Sequence, residues 1–209
     1  MNSPEDNVIL VDQNDQEIGQ MEKLTAHEDG RLHRAFSVCV FNHRQELLLQ
    51  QRAWGKYHSA GLWTNTCCSH PRPGESPEEA AHRRLQEEMG FDCEVQEIFH
   101  MQYRFGFSNG LTEHEYDHVF IGFSDQLPKP NKSEVAEWKY MARPDIASVL
   151  ERHDNSFTEW FQLMFAQLKT ELKSFVHGSR FAVGDLESVF PSTVNRAILS
   201  VECLDKNEK

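Results

Sequence analysis

Three histidines and two glutamates are placed where they could bind a metal ion together. His27 and His33 bracket a short polar loop before an apolar run, and His70 lies in the string CCSHP. Glu113 and Glu115 are two residues apart, so both carboxylates point to one face if the segment is a strand. Such a ligand set is typical of zinc, manganese or magnesium and differs from the thiolates of a structural zinc site. The spacing therefore predicts a mixed nitrogen and oxygen metal site.

The same residues allow an interpretation without chemistry. Glu113 and Glu115 would then form the solvent face of an antiparallel strand. The histidines would never meet, because a lone histidine is usually a surface or hydrogen-bonded residue. Periodicity alone leaves both interpretations open.

Two adjacent cysteines, Cys67 and Cys68, lie in a loop rich in tryptophan and histidine. A cysteine there is a proton donor, a nucleophile or a small packed residue. A zinc knuckle is disfavoured, because no second Cys or His pair stands at the required spacing. The five cysteines are an odd number at scattered positions, and adjacent cysteines do not form an unstrained disulfide with each other. This pattern predicts a reducing cytoplasmic environment.

The composition is that of an ordinary globular protein, with 39% hydrophobic and 26% charged residues. A length of 209 residues favours one domain, over residues 1–173, followed by a C-terminal extension over residues 174–209. The net charge of -12 disfavours a nucleic-acid partner. The acidic start MNSPEDNV and the lack of a long apolar run disfavour export and membrane insertion. The oligomeric state is left open.

A β-sheet must position most of the candidate side chains. Strand-like patterns occur over residues 7–12, 35–41, 47–52, 95–107, 115–123 and 135–141. Helical patterns occur over residues 144–150 and 157–172. Glycine, proline, tryptophan and histidine are dense over residues 54–74, which predicts a long ordered loop.

The best-marked helix is predicted over residues 77–89. Signals for its start and end are a cap, a helical proline, a capping-box glutamate and a terminal glycine, at Ser76, Pro77, Glu79 and Gly90. Apolar residues at four-residue spacing define its buried stripe, at Ala81, Leu85 and Met89. At about 100° per residue, Glu88 projects close to this stripe. A carboxylate is therefore expected to face inward.

The string SHPRPGESPEEAAHRRLQEEMGF resembles a degenerate Nudix box, the loop and helix that bind a divalent ion beside a diphosphate. Ser69 replaces the usual first glycine, whereas Glu75 and Arg83 match. Arg84 stands where hydrolytic members have the first glutamate of the box core, and the end of the box agrees at Glu87, Glu88 and Gly90. Loss of that carboxylate argues against ordinary diphosphate hydrolysis.

Four motifs in the same order are similar to type I isopentenyl diphosphate isomerases. They are TAHEDGRLHRAFSV, QQRA, GLWTNTCCSHP and EHEYDHVF, and with the box they cover most of residues 20–160. The resemblance implies an α/β (α+β) fold, with a Nudix-like mixed β-sheet core flanked by helices. It also implies an enzyme that interconverts isopentenyl and dimethylallyl diphosphate by protonation and deprotonation of the alkene, feeding isoprenoid synthesis.

The resemblance also assigns roles to residues. It implies a site for one Mn²⁺, Zn²⁺ or Mg²⁺ at His27, His33, His70, Glu113 and Glu115. It makes Cys68 the catalytic thiol and Glu115 the opposing acid–base group, with Tyr103 beside that glutamate and Trp160 as the active-site tryptophan. Glu88 would bind Mg²⁺ with the substrate diphosphate. The basic diphosphate contacts implied are Lys23, Arg52, Lys56 and Arg84.

Two departures and two rival functions accompany this resemblance. The loop from His27 to His33 is a residue shorter than in some members, and the C-terminal tail is longer. A Nudix hydrolase would release phosphate, and a Nudix-like sensor would bind a diphosphate without turnover. Arg84 disfavours the hydrolase, and retention of Cys68 together with Glu115 disfavours the sensor.

Overall fold

The computed structural model describes residues 7–152 and 155–171, so the predicted extension over residues 174–209 lies outside the described part. In chain order the elements are β1 (Asn7–Val11), β2 (Glu17–Glu22), α1 (Lys23–Asp29), β3 (His33–Phe41), β4 (Glu46–Arg52), β5 (Trp63–Thr64), β6 (Cys67–Ser69), α2 (Pro77–Arg84) with a π-helical turn (Leu85–Met89), β7 (Val95–Gly106), β8 (Thr112–Phe123), β9 (Val135–Ala142), α3 (Arg143–Glu151) and α4 (Glu159–Glu171).

Strand β3 organises the sheet. It runs parallel to β8, with His33 opposite Glu115 and Phe41 opposite Phe123. It runs antiparallel to β6, where Ser37 lies opposite Cys68. Strand β7 continues the sheet beyond β8, and β9 pairs with β4. Parallel and antiparallel pairs in one sheet make it mixed.

Helices cover both faces of the sheet. On one face, apolar side chains of β3 and β8 pack with α2 and its π-helical turn, at Phe36, Val38, Val40, Phe120, Ala80, Ala81, Leu85 and Met89. On the other face, alternate residues of the same strands pack with α4, at Cys39, Phe41, Val119, Ile121, Phe161, Met164 and Phe165. Because a strand buried on both sides is mostly apolar, β3 is apolar from Ala35 to Phe41 except at Ser37. The predicted α+β fold, a mixed sheet flanked by helices, is confirmed.

Helix α1 and the short strands β5 and β6 were not predicted. The polar segment that contains His27 is a helix, α1, whose N-cap Glu22 accepts a hydrogen bond from the backbone of Thr25. Glutamate is not among the residues that usually cap helices, so the sequence pattern gave no start signal. The predicted loop over residues 54–74 contains β5 and β6, which are only two and three residues long.

Helix α2 starts as predicted but widens before it ends. Ser76 and Glu79 form the capping box, and residues 85–89 form a π-helical turn where regular α-helix was expected. Gly90 ends the turn with φ 71°, and a Cβ there would lie 2.4 Å from the carbonyl oxygen of Lys129. Glu88 is nevertheless buried, at 4% exposure, as predicted. Such turns often mark functional sites.

Candidate active site

The strand register brings the five predicted metal ligands together. His33, at the start of β3, lies opposite Glu115 on β8, and Glu113 shares the face of Glu115 because the two are two residues apart. Helix α1 supplies His27, and the segment after β6 supplies His70. One candidate ligand atom from each of these residues lies within 4.8 Å of all the others. We call the five residues the histidine cluster.

Backbone carbonyl groups orient two of the histidines. Nδ1 of His27 lies 2.6 Å from the carbonyl oxygen of Lys23, and Nδ1 of His33 lies 2.8 Å from that of Arg31. A carbonyl oxygen only accepts, so each Nδ1 carries a hydrogen and each Nε2 is turned to the cluster. Nε2 of His33 is 3.2 Å from Nε2 of His70. Metal-binding histidines are oriented by outer hydrogen bonds of this kind.

Glu113 has one oxygen held outside the cluster and one directed into it. Oε1 lies 2.8 Å from Nε2 of His58, and Oε2 lies 3.1 Å from Nε2 of His27. Glu113 Oε2 and His27 Nε2 are both buried without a hydrogen-bond partner. Buried polar atoms are normally paired, and a divalent cation is the partner that satisfies a carboxylate and an imidazole together. The cluster therefore fits a divalent metal ion.

Glu115 is divided in the same way. Tyr103 donates a hydrogen bond to Oε2. Oε1 lies 2.8 Å from Nε2 of His70 and 3.6 Å from Nε2 of His33. Glu113 and Glu115 are 4% and 7% exposed, so the interpretation of these carboxylates as a solvent face is wrong. The histidines also meet, which that interpretation denied.

Burial and hydrogen bonding set the charges in the cluster. Burial lowers the pKa of His70 to about 3, and the charge of Lys23 adds to the shift. Burial opposes ionisation of Glu113, but the adjacent imidazoles of His27 and His58 leave its pKa well below the usual value. Burial also lowers the pKa of His27, yet the nearby Glu113 carboxylate outweighs it and raises that pKa overall. His70 is thus neutral and Glu113 ionised at neutral pH, the forms that bind metals, while a proton competes for His27.

A cavity connects the cluster to the predicted catalytic and diphosphate-binding residues. Its lining includes Cys68, Tyr103, Trp160, His70, Glu113, Glu115, Glu88, Lys23, Arg52, Lys56 and Arg84. His27 and His33 are fully buried and lie behind this lining. The structure therefore brings every predicted site residue to one place: all of them line the cavity except His27 and His33, which lie behind its lining.

The adjacent cysteines have different surroundings. Cys68 is partly buried and lines the cavity, whereas Cys67 is fully buried in the core next to α2. The alternation of side chains along β6 separates them. Burial raises the pKa of the Cys68 thiol to about 12, with Arg52 opposing the shift and nearby carboxylates adding to it. Cys68 is therefore a protonated thiol facing the cavity.

Trp160 belongs both to the core and to the cavity wall. It is 4% exposed, and its ring lies parallel to that of Phe105 with centroids 6.4 Å apart. The guanidinium of Arg52 lies 5.2 Å from the Trp160 ring centroid. A side-chain cation therefore already lies over this ring, the kind of contact that an aromatic face favours.

A second set of charged residues lies around Glu88. Gln50 donates to Oε2 of Glu88 at 2.9 Å, and Arg84 donates to Oε1. Lys56 pairs with Glu134, and Arg84 lies 3.3 Å from the same carboxylate. We call Glu88, Gln50, Arg84, Lys56 and Glu134 the Glu88 group. Both oxygens of Glu88 are engaged within the protein.

Among the residues that line the cavity, His58, Glu134 and Gln50 make hydrogen bonds or ion pairs that were not predicted. His58 lies in a loop without periodicity, and its bond to Glu113 joins residues far apart in the chain. Glu134 precedes β9 and carried no motif. Gln50 gave a usable signal in the sequence, because it directly follows three leucines in the run LLLQ. The structure shows it only 2% exposed, and a buried amide needs a partner.

Comparison with known proteins identifies the family. A NUDIX domain model matches residues 31–162. The isopentenyl-diphosphate Delta-isomerase of Pectobacterium atrosepticum is 51% identical over 168 residues, which cover 80% of this chain and 94% of that protein. The isopentenyl-diphosphate Delta-isomerase of Burkholderia multivorans is 48% identical over 160 residues, covering 77% and 91%. The chain belongs to the isopentenyl-diphosphate Delta-isomerase family. The predicted family, within the Nudix superfamily, is confirmed.

Solved structures agree with this family at the level of the fold. DR0079 from Deinococcus radiodurans has a TM-score of 0.65 and 16% identity, and the match covers 77% of this chain and 98% of that one. The MutT protein of Methanosarcina mazei has a TM-score of 0.56 and 20% identity, over 67% and 94%.

In this member of the isomerase family, none of the described helices is both long and apolar enough to cross a bilayer.

Proposed function

We propose that this chain interconverts isopentenyl diphosphate and dimethylallyl diphosphate, with Cys68 and Glu115 as its two proton carriers. Family membership supports the reaction. One observation supports the two carriers: a protonated thiol on β6 and a carboxylate on β8 line the same cavity. Tyr103 donates to that carboxylate and completes a path for a proton.

The reaction explains why two carriers are needed. Adding a proton to the terminal alkene carbon forms a C–H bond and leaves a tertiary carbocation at C3. Removing a proton from C2 then returns an electron pair and places the double bond between C2 and C3. The first step needs an acid and the second a base, and water must be kept away from the cation. The two carriers exchange these roles when the reaction runs in reverse.

Trp160 is proposed to face the carbocation. The interaction of a cation with an aromatic face is worth on the order of 2 kcal/mol when desolvated. The parallel Phe105 ring and the buried position of Trp160 hold that face in place. Arg52 over the same ring would contact the diphosphate rather than the cation.

We propose that the histidine cluster holds one Mn²⁺, Zn²⁺ or Mg²⁺ and that Glu88 holds Mg²⁺ together with the diphosphate. A bound divalent ion supplies positive charge that orients a carboxylate and stabilises its ionised form. His27, His33 and His70 would bind through Nε2, and Glu115 would keep Oε2 for the hydrogen bond with Tyr103. Mixed imidazole and carboxylate donors support this assignment.

The four basic side chains of the cavity are proposed to bind the diphosphate, and they are Lys23, Arg52, Lys56 and Arg84. Charge-assisted hydrogen bonds at the unreactive end of a substrate position its reactive end. Burial lowers the pKa of Lys23, with Glu113 acting in the opposite direction. A bound diphosphate would favour its protonated form.

We also propose that residues 1–173 form one isomerase domain and that the protein works in the cytoplasm. The described elements share one sheet with a core on each of its faces, which supports a single domain. The described cysteines, Cys39, Cys67, Cys68 and Cys93, are free thiols. Thiols are kept reduced in the cytoplasm, which supports this assignment.

Proton NMR in D₂O tests the proposal. Purified protein is incubated with isopentenyl diphosphate, Mg²⁺ and Zn²⁺ or Mn²⁺, next to Cys68→Ala and Glu115→Gln. We expect deuterated dimethylallyl diphosphate with the wild type and a rate at least about 100-fold lower in each variant. Cys67→Ala is the matched control, since that thiol faces the core, and should stay active.

Other outcomes would contradict parts of the proposal. Unchanged isopentenyl diphosphate with folded, metal-loaded wild type would overturn the isomerase. Phosphate release from a nucleoside diphosphate derivative would indicate a hydrolase instead. Loss of activity in Cys67→Ala with retention in Cys68→Ala would show that Cys67, and not Cys68, is the catalytic thiol.

A further inference from the structure

We infer that His58 is a positioning residue that fixes the metal-facing oxygen of Glu113. The inference rests on the proposed metal site at the histidine cluster, to which His58 does not itself belong. It starts from the division of Glu113, whose Oε1 lies 2.8 Å from Nε2 of His58. Its Oε2 is buried without a hydrogen-bond partner, 3.1 Å from Nε2 of His27.

The hydrogen bond determines which oxygen is free. A carboxylate has two equivalent oxygens and rotates about its last bond. When His58 donates to Oε1, only Oε2 remains for the cluster. Tyr103 does the same for Glu115 by donating to its Oε2. Each carboxylate of the cluster is therefore anchored by one side chain that is not a ligand.

The His58 ring is itself held in place. It stacks on Phe107 with centroids 4.6 Å apart and planes 17° apart. Tyr57 meets it edge-on at 4.7 Å, and Trp160 meets it edge-on at 5.9 Å. The side chain is only 4% exposed. Rotation of the ring would break these contacts, so the direction of its Nε2 is fixed by packing.

His58 also joins two parts of the active site. On one side it bonds the metal-facing Glu113, and on the other it touches Trp160, the proposed partner of the carbocation. A packing role and a hydrogen-bonding role are therefore both present in one residue. Two substitutions distinguish these roles. Phenylalanine keeps the packing of the ring without the donor, whereas glutamine keeps a donor near the position of Nε2.

Metal affinity tests the inference with a readout other than activity. Wild type, His58→Phe and His58→Gln are titrated with Zn²⁺ and, separately, Mn²⁺ against a competing chelator, and the melting temperature of each metal-free form is recorded. Removing an outer partner of a metal ligand typically costs 10- to 100-fold in affinity. We expect a loss of about that size in His58→Phe at an unchanged melting temperature, with most of the affinity restored in His58→Gln. His43→Phe, at an exposed histidine, is the control.

The outcomes distinguish the inference from the proposed site. Wild-type affinity in His58→Phe would overturn the inference and leave a packing role only. Equal losses in His58→Phe and His58→Gln would also overturn it, because the donor would not be what matters. If the wild type bound neither ion, the metal site itself would be wrong, and the inference would fall with it.

Discussion

The two ends of the cavity hold their carboxylates differently. In the histidine cluster, Glu113 and Glu115 each have one oxygen anchored from outside and one directed toward imidazole nitrogens. In the Glu88 group, both oxygens of Glu88 are taken, by Gln50 and Arg84. The first end is arranged around a place for a cation. The second is closed by contacts between its own side chains.

This difference indicates different roles for the two ends. A site whose donors are already oriented needs little rearrangement and binds its ion tightly. At the Glu88 group, Arg84 and Lys56 pair with acidic side chains. In the proposed complex, Mg²⁺ and the diphosphate would replace those pairs: Arg84 and Lys56 would bind the diphosphate, and Glu88 would bind the ion. The first end therefore suits a resident ion, and the second suits an ion that comes and goes with substrate.

The largest effect is expected from removing a ligand of the histidine cluster. His33→Ala should lose the metal ion of the histidine cluster. Glu115, opposite on β8, then lacks the positive charge that would orient it. Because metal assistance contributes several kcal/mol, we expect kcat to fall by at least about 1000-fold. Isomerase assays together with elemental analysis of the purified protein measure this.

The control for that prediction is His43→Ala, which removes an exposed imidazole paired with Asp125. It should keep both its metal content and its activity. A His33→Ala protein with a full complement of metal and wild-type kcat would contradict the assignment of the cluster.

The sequence predicted some features of the histidine cluster and missed others. The two-residue spacing of Glu113 and Glu115 placed both on one face of a strand, as the structure shows. The parallel register that sets His33 beside Glu115 joins distant segments, and no local pattern determines such a pairing. The resemblance to known isomerases supplied that grouping. Helix α1, which carries His27, was not predicted, because its N-cap is a glutamate.

The Glu88 group shows a different limit. Burial of Glu88 was predicted from regular helix geometry, although the turn is π-helical there. Its neighbours on the apolar stripe, Leu85 and Met89, are fully buried, so the inward face was still correct. Glu134 was not predicted, because its pairing with Lys56 and Arg84 depends on how the loop before β9 packs.

A smaller effect is expected from Glu88→Gln. The variant keeps the shape of the side chain and removes the charge that would hold Mg²⁺ beside the diphosphate. Misplacement of a substrate by about 1 Å costs on the order of 100-fold, so we expect kcat/KM to fall by about 100-fold, with KM raised. Steady-state kinetics over a range of Mg²⁺ concentrations measure both terms.

The comparison is sharpened by the metal content of the same variant. Glu88→Gln should retain the ion of the histidine cluster, since none of the five cluster residues contacts Glu88 in the hydrogen bonds and ion pairs of the described chain. Loss of that ion in Glu88→Gln would show that the two ends are one coupled site and would contradict the separation proposed here.

The smallest effect is expected from Glu134→Gln. Burial opposes ionisation of Glu134, but Lys56 and Arg84 leave its pKa below the usual value, so it is charged at neutral pH and competes with an incoming diphosphate. Partly exposed ion pairs are worth up to about 1 kcal/mol. Inorganic pyrophosphate should therefore bind about two- to five-fold more tightly to the variant by calorimetry at fixed Mg²⁺.

The control is Glu137→Gln, which changes an exposed carboxylate on β9 and should leave that affinity unchanged. Weaker binding in Glu134→Gln would mean that Glu134 positions Lys56 and Arg84 for the diphosphate, and the second end would then be preorganised like the first.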